Sequence, residues 1–151
     1  VGFDFIFILF LMIIDGTDNL EYFLYKYNIS KKDQKRAYAI SNFYNEKEGI
    51  KTLNEANLNK VLYYDGKQAV LDILNFKIIK SKKLDKKMLS LLELYKNKIT
   101  PSLPIGADLL MTRYNIPEGK QLGSMLKSIE EEWVRNNFEI SEKQIDNIVK
   151  G

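Results

Sequence analysis

The chain contains no cysteine and no histidine. Without cysteine there is no disulfide, no thiolate nucleophile and no iron–sulfur site. Without histidine the usual zinc ligand and the commonest general base are gone. Any catalysis has to rest on carboxylates, lysine, Ser/Thr or tyrosine. Magnesium-dependent group transfer needs closely spaced carboxylates, often as Asp-x-Asp, and no Asp-x-Asp occurs. Asp15-Gly16-Thr17-Asp18 is the nearest approach, and its spacing and glycine read as a turn ahead of a helix. A Walker-type phosphate loop and a dinucleotide fingerprint are both missing. Arginine is scarce too: of 23 basic residues only Arg36, Arg113 and Arg135 are arginine.

What remains is a chain of 151 residues, 45% hydrophobic and 28% charged, enough for one domain or two small ones. The formal charge of +3 is carried almost wholly by lysine. With Ile and Asn also abundant, this is what an AT-rich coding sequence supplies without selection for a partner. Lysine also lacks the planar bidentate contacts of arginine. The run Phe5 to Ile14 is apolar, but Asp4 interrupts it upstream. About ten residues fall short of the roughly 18 a membrane span needs. A cationic leader region and a small-residue cleavage site are absent as well, so the expectation is a cytoplasmic chain without a membrane partner. Residues 1–14 then read either as a helix buried on all sides or, given a start at Val1 rather than Met, as the core helix of a longer frame that pairs with its own copy or another chain.

Downstream the spacing predicts helices throughout. Leu20, Phe23, Leu24 and Tyr27 share one helix face. Ser30 and Asp33 open a second stripe through Ala37, Ile40, Phe43 and Tyr44, which Gly49 breaks. Thr52 or Asn54 caps a helix carrying Leu58, Val61 and Leu62 that stops at Asp65-Gly66; Ala69, Val70, Ile73 and Leu74 mark another. Leu84, Met88, Leu91, Leu92, Tyr95 and Ile99 predict one long amphipathic helix. Pro101 and Pro104 end it and divide a helical body, residues 1–100, from a tail unit, residues 101–151. In the tail we expect a short helix over 107–113, a tight connection to Gly119, a helix over 120–137, and a last helix opened by the capping box Ser141 to Gln144. Glu130-Glu131-Glu132 reads as a solvated helix face. The fold class is all-α, a helical array with a small C-terminal helix–hairpin–helix-like unit.

One constellation in the tail carries chemistry. Pro104-Ile105-Gly106-Ala107-Asp108-Leu109-Leu110 precedes Ile116-Pro117-Glu118-Gly119-Lys120-Gln121-Leu122-Gly123. Gly119 lies just ahead of the second helix, where unpaired N–H groups and the positive dipole end suit a phosphate and Lys120 adds charge. Gly123 would let that helix approach the short one closely. Equally, Gly106 and Gly119 read as ordinary turn glycines and Asp108 as a first-turn carboxylate.

This stretch resembles the C-terminal segment of the bacterial CCA-adding tRNA nucleotidyltransferases and related poly(A) polymerases. Gly106, Asp108, Leu109, Ile116, Gly119, Leu122, Gly123 and Leu126 fall on its Gly-x-Asp-Leu and hydrophobic-x-Pro-Gly-Pro-x-(Ile/Leu)-Gly positions. Trp133 and Phe138 fit tails that end in a Trp- and Phe-bearing helix. The departures are Ile105 for Ser/Thr, Asn115 for Gly, and Glu118 and Lys120 for the prolines around the hairpin glycine. The likeness is moderately specific over 101–140 and weak upstream. It implies the body and tail of such an enzyme without its catalytic head, so no catalytic and no metal-binding residue is assigned to this chain. Magnesium and CTP or ATP are implied only for a separate head polypeptide. The implied role is tRNA binding in 3′-end processing, as a fragment or one half of a split enzyme, inactive alone.

The charge pattern is compatible with that role. Between Lys77 and Lys98 eight lysines (77, 80, 82, 83, 86, 87, 96, 98) face only Asp85 and Glu93, and Lys31, Lys32, Lys35 and Arg36 form a second cluster against Asp33. An RNA elbow is recognised through shape, phosphates and hydroxyls, for which lysine suffices. The candidate RNA contacts are Gly119, Lys120, Arg113, Lys82, Lys83, Lys86 and Lys87, with Tyr114 either stacking on a base or packing under the hairpin. The competing reading is a helical protein–protein or self-associating module, or a gene remnant, with no RNA role; a carboxylate enzyme in its own right is a third and weaker one.

Overall fold

The computed structural model describes residues 2–44 and 53–151, and within them the chain is all-α. It divides into two compact units, Val1–Thr100 and Pro101–Gly151.

The first unit holds α1 (Phe5–Ile13), α2 (Asn19–Lys26), α3 (Lys31–Tyr44), α4 (Glu55–Asp65), α5 (Lys67–Lys80) and α6 (Lys86–Asn97). Helix α5 is its centre, packed against α3, α4 and α6. That position requires an apolar surface on more than one side, and α5 buries Ala69, Val70, Ile73, Leu74 and Phe76. Helix α3 buries Ala37, Ile40 and Phe43, and α4 buries Leu58, Val61 and Leu62. Asn54 is the cap of α4, its side chain accepting from the Asn57 N–H at 2.9 Å. The alternatives at Gly49 and Thr52 lie outside the described residues.

Two expectations change. The apolar N-terminal helix is not buried on all sides: Phe7, Phe10 and Ile14 enter the core, whereas Phe5 and Met12 are three-quarters exposed. The long amphipathic helix is shorter at both ends. Asp85 accepts from the Lys87 N–H at 2.8 Å and starts α6 there, and Lys98 is already extended, so Leu84 and Ile99 fall outside it and stand in solvent. Asp15 closes the turn ahead of α2 that its spacing and glycine suggest. Its Oδ1 accepts from both Thr17 N–H and Thr17 Oγ1, and its Oδ2 from Asn19 Nδ2. Those hydrogen bonds, led by the Thr17 hydroxyl, hold its carboxyl below the usual range. Among the described residues no three acidic side chains converge as a metal site.

The second unit holds α7 (Ala107–Tyr114), α8 (Lys120–Arg135) and α9 (Glu142–Lys150). Its core is Ile105, Leu110, Ile116, Leu122, Ile129 and Ile145, with Trp133 and Val134 also buried. Ser141 and Gln144 form the capping box that opens α9. Helix α8 stops at Arg135, two residues earlier than its sequence spacing suggests. Asn137 and Phe138 both take positive φ, 58° and 65°. This turns the Phe138 ring edge-on to Trp133 at 5.0 Å while its N–H bonds the Trp133 carbonyl at 2.8 Å. The acidic run is not wholly solvated either: Glu132 accepts from Asn136 Nδ2 at 2.8 Å and Gln144 Nε2 at 3.4 Å, and it pairs with Arg135. No helix among the described residues is long and apolar enough to cross a membrane.

Candidate nucleic-acid interface

The eight lysines of the 77–98 stretch divide sharply. Lys77 and Lys80 lie over the rings of Tyr44 and Phe76, 5.6 Å from each centroid. Lys96 pairs with Glu93 at 2.7 Å. Lys98 donates to Asn59 Oδ1 at 3.0 Å, and burial pulls its ammonium below the ordinary lysine range. Asn59 is fully buried and also accepts from the Tyr95 hydroxyl at 2.8 Å, whose own pKa burial pushes up. Lys77 and Lys98 are thus held within the fold, while Lys80 and Lys96 stay exposed beside their partners. Lys82, Lys83, Lys86 and Lys87 are all exposed. They bracket one turn, which Ser81 closes by donating to the Lys83 carbonyl at 2.6 Å and which Asp85 hands on to α6. Four exposed ammonium groups are thus presented together around a helix start, where the dipole adds positive potential.

The second basic cluster loses its arginine. Arg36 is 8% exposed. Its Nε and Nη2 donate to the two oxygens of Asp72 at 2.6 and 3.2 Å, and its Nη1 and Nη2 to those of Asp4 at 2.8 and 3.2 Å. Burial opposes the charge, but the two carboxylates outweigh it and hold the guanidinium above its ordinary value. The same arginine holds the Asp4 carboxyl below the usual range. Arg36 therefore ties the N-cap of α1 to α3 and α5 and is not an RNA contact. Lys31, Lys32 and Lys35 remain exposed.

In the second unit the hairpin is built by backbone chemistry. Asn115 takes the left-handed conformation (φ 54°, ψ 38°) that ends α7; asparagine tolerates it best after glycine, so this departure from the resembled pattern keeps the turn. Ile116 is buried as the anchor of the connection. Gly119, at φ 149° and ψ −167°, caps α8 in a region essentially reserved for glycine. Lys120 is the exposed first residue of α8. Arg113, in the last turn of α7, lies over the Tyr114 ring at 5.5 Å and pairs with Glu142 at 3.2 Å, which raises its pKa. Tyr114 packs against the core and donates to Asp146 Oδ1; that bond raises the phenol's pKa and lowers the carboxyl's. Of its two readings, packing under the hairpin is the one realised.

Other motif positions divide between core and surface. Leu122 is buried, while Leu109 is 40% exposed and its neighbour Leu110 takes the core place. Asp108 is exposed in the first turn of α7. Gly123 does not serve close helix packing, because a Cβ built there meets no atom within 4 Å, and the same holds at Gly106. Both glycines instead line an open groove of about 360 Å³ with Ile105, Leu126, Lys127 and Glu130. Sequence spacing did not point to that groove. It also missed the Arg36 network, whose one signal was an aspartate, Asp72, inside an otherwise apolar run.

These helices and their glycine-turned hairpin define an all-α domain. The chain belongs to the family described as tRNA nucleotidyltransferase domain 2, whose model matches residues 5–149. The match is wider than the tail: it begins at the first residue of α1 and ends one residue before the end of α9. Comparison with curated proteins gives no match, and neither does comparison with solved structures.

Proposed function

We propose that this chain is the tRNA-binding C-terminal part of a CCA-adding tRNA nucleotidyltransferase, acting as a fragment or one half of a split enzyme and adding no nucleotide alone. The observation that carries the reading is the family match across both units. The four exposed lysines just before and at the start of α6, together with Lys120 and Gly119, support it as phosphate contacts. Magnesium, CTP and ATP belong, on this reading, to a separate catalytic head. Helix dipole, lysine charge and backbone N–H groups do the work here, because an A-form stem exposes phosphates and hydroxyls rather than readable base edges.

The test is a titration of a tRNA transcript over a salt series. Each phosphate contact contributes close to one to the slope of log affinity against log salt, roughly 0.7 to 0.9. Replacing Lys82, Lys83, Lys86 and Lys87 together by alanine should lower the slope by about 3 and weaken binding at low salt more than tenfold. Wild-type chain that leaves the transcript unbound at low salt, and restores no CTP or ATP addition to a head polypeptide, overturns the proposal. A second reading, self-association through residues 1–14, is favoured by one observation: Phe3, Phe5, Ile8 and Met12 are all exposed on one short segment.

A further inference from the structure

Helix α2 and the start of α3 present a second surface that the lysine turn and the hairpin do not use. Leu20 and Leu24 bury one side of α2. Tyr22, Tyr25 and Lys26 stand at i, i+3 and i+4 and so share the opposite side. Tyr25 is 89% exposed and Tyr22 63%. Tyr27, just past the helix end, is exposed as well, and its ring lies 4.8 Å from that of Phe23. The Lys26 ammonium sits 5.4 Å from the Tyr22 ring centroid and 5.7 Å from that of Tyr27. Asn28, at φ 48°, then turns the chain, and Lys31, Lys32 and Lys35 follow on the exposed side of α3. Of the acidic neighbours, Asp33 is engaged by Ser30 at 2.7 Å and by Arg36 at 3.6 Å, which leaves Glu21 and the α2 N-cap Asp18, two carboxylates against four lysines.

Phenol rings interleaved with ammonium groups match one class of ligand better than others. A face built to bury itself in another protein is depleted of lysine at its centre, and here Lys26 lies between two rings. A duplex offers phosphates to the lysines but hides the faces of its bases. Unpaired nucleotides offer both, and stacking on aromatic rings beside a basic track is how single strands are held. We infer that this face binds unpaired RNA nucleotides, with bases stacked on Tyr22 and Tyr25 and phosphates on Lys26, Lys31 and Lys32. The inference rests on the RNA-binding reading above and adds to it a single-strand subsite on α2.

The experiment compares two RNA probes on the full chain, a single-stranded octanucleotide and a blunt-ended hairpin whose strands are joined by a polyethylene glycol linker in place of unpaired loop nucleotides. Tyr22→Ala/Tyr25→Ala should weaken octanucleotide binding about a hundredfold, about tenfold per lost stack, and leave hairpin binding within twofold. Tyr22→Phe/Tyr25→Phe should bind the octanucleotide within about threefold of wild type, because the ring is what stacks. Both tyrosines stand in solvent, and a circular dichroism melt confirms that the variants fold. If wild type binds the hairpin but not the octanucleotide, or the alanine pair binds the octanucleotide as wild type does, the single-strand subsite is wrong while RNA binding stands. If the alanine pair turns a dimer into a monomer without changing octanucleotide binding, a second copy covers this face and the inference is overturned. If wild type binds neither probe the subsite is wrong, and the RNA reading itself fails only if the tRNA transcript is left unbound and no nucleotide addition is restored as well.

Discussion

Arg36 shows how much one residue's role depends on groups far along the chain. Its fork is filled by Asp72 from α5 and Asp4 from the cap of α1, and Gln68 supports Asp72 with a bond of 2.9 Å. Removing one partner leaves a buried charge short of acceptors, which costs far more than replacing the whole pair with apolar groups. Asp72→Ala should therefore lower unfolding free energy by about 3–5 kcal/mol, read from urea melts. Arg36→Met/Asp72→Leu should recover most of that loss. Asp4 is more than half exposed, so screening limits its share to roughly 0.5 kcal/mol. Its folded carboxyl lies below the ordinary value of 3.8. The contribution is thus complete above pH about 4 and disappears as the pH falls through the lowered folded value. Melts of wild type and Asp4→Asn should differ at pH 6 and converge in acid.

At the scale of elements, two glycines of the same hairpin–helix segment should respond in opposite directions. Gly119 sits at φ 149° where a side chain is strained whatever the space around it, so Gly119→Ala should cost about 1–3 kcal/mol. Gly123 lies inside α8 with open space beside it, so Gly123→Ala should stabilise by up to about 1 kcal/mol through helix propensity alone. Thermal melts followed at the single tryptophan, Trp133, buried in this unit, read both. Most helices were legible as sequence because a 3.6-residue period and a capping side chain are local properties. The errors came where a local pattern continued past a stronger local signal. Leu84 and Ile99 keep the apolar period of α6, but Asp85 starts the helix after the first and the extended backbone at Lys98 ends it before the second. The stop of α8 was illegible for another reason: it depends on Phe138 folding back onto Trp133.

For the whole molecule, the N-terminal segment is where the competing readings separate. Phe7, Phe10 and Ile14 anchor α1, and Phe5 and Met12 face outward. On the self-association reading, Phe5→Glu/Met12→Glu should convert a dimer to a monomer in sedimentation equilibrium while leaving tRNA affinity unchanged. A wild-type chain that is monomeric at 100-fold dilution and at high concentration alike removes that reading. On the tRNA reading the same substitutions leave the salt slope of binding where it was.

The sequence by itself determined the all-α class, the placing of most helices, and the exclusion of cysteine and histidine chemistry. Each of these follows from composition or from contacts within one helical turn. It also carried the tail pattern from Gly106 to Gly123 that resembles the family to which the chain belongs. Only the tertiary structure decided which charges are available. Sequence counts Arg36, Lys77 and Lys98 as basic residues like any others, whereas folding spends them on Asp72, Tyr44 and Asn59. Lys82, Lys83, Lys86 and Lys87 are left outward. The reason is physical: a charge's partner is set by packing between helices tens of residues apart, and no local spacing encodes that distance.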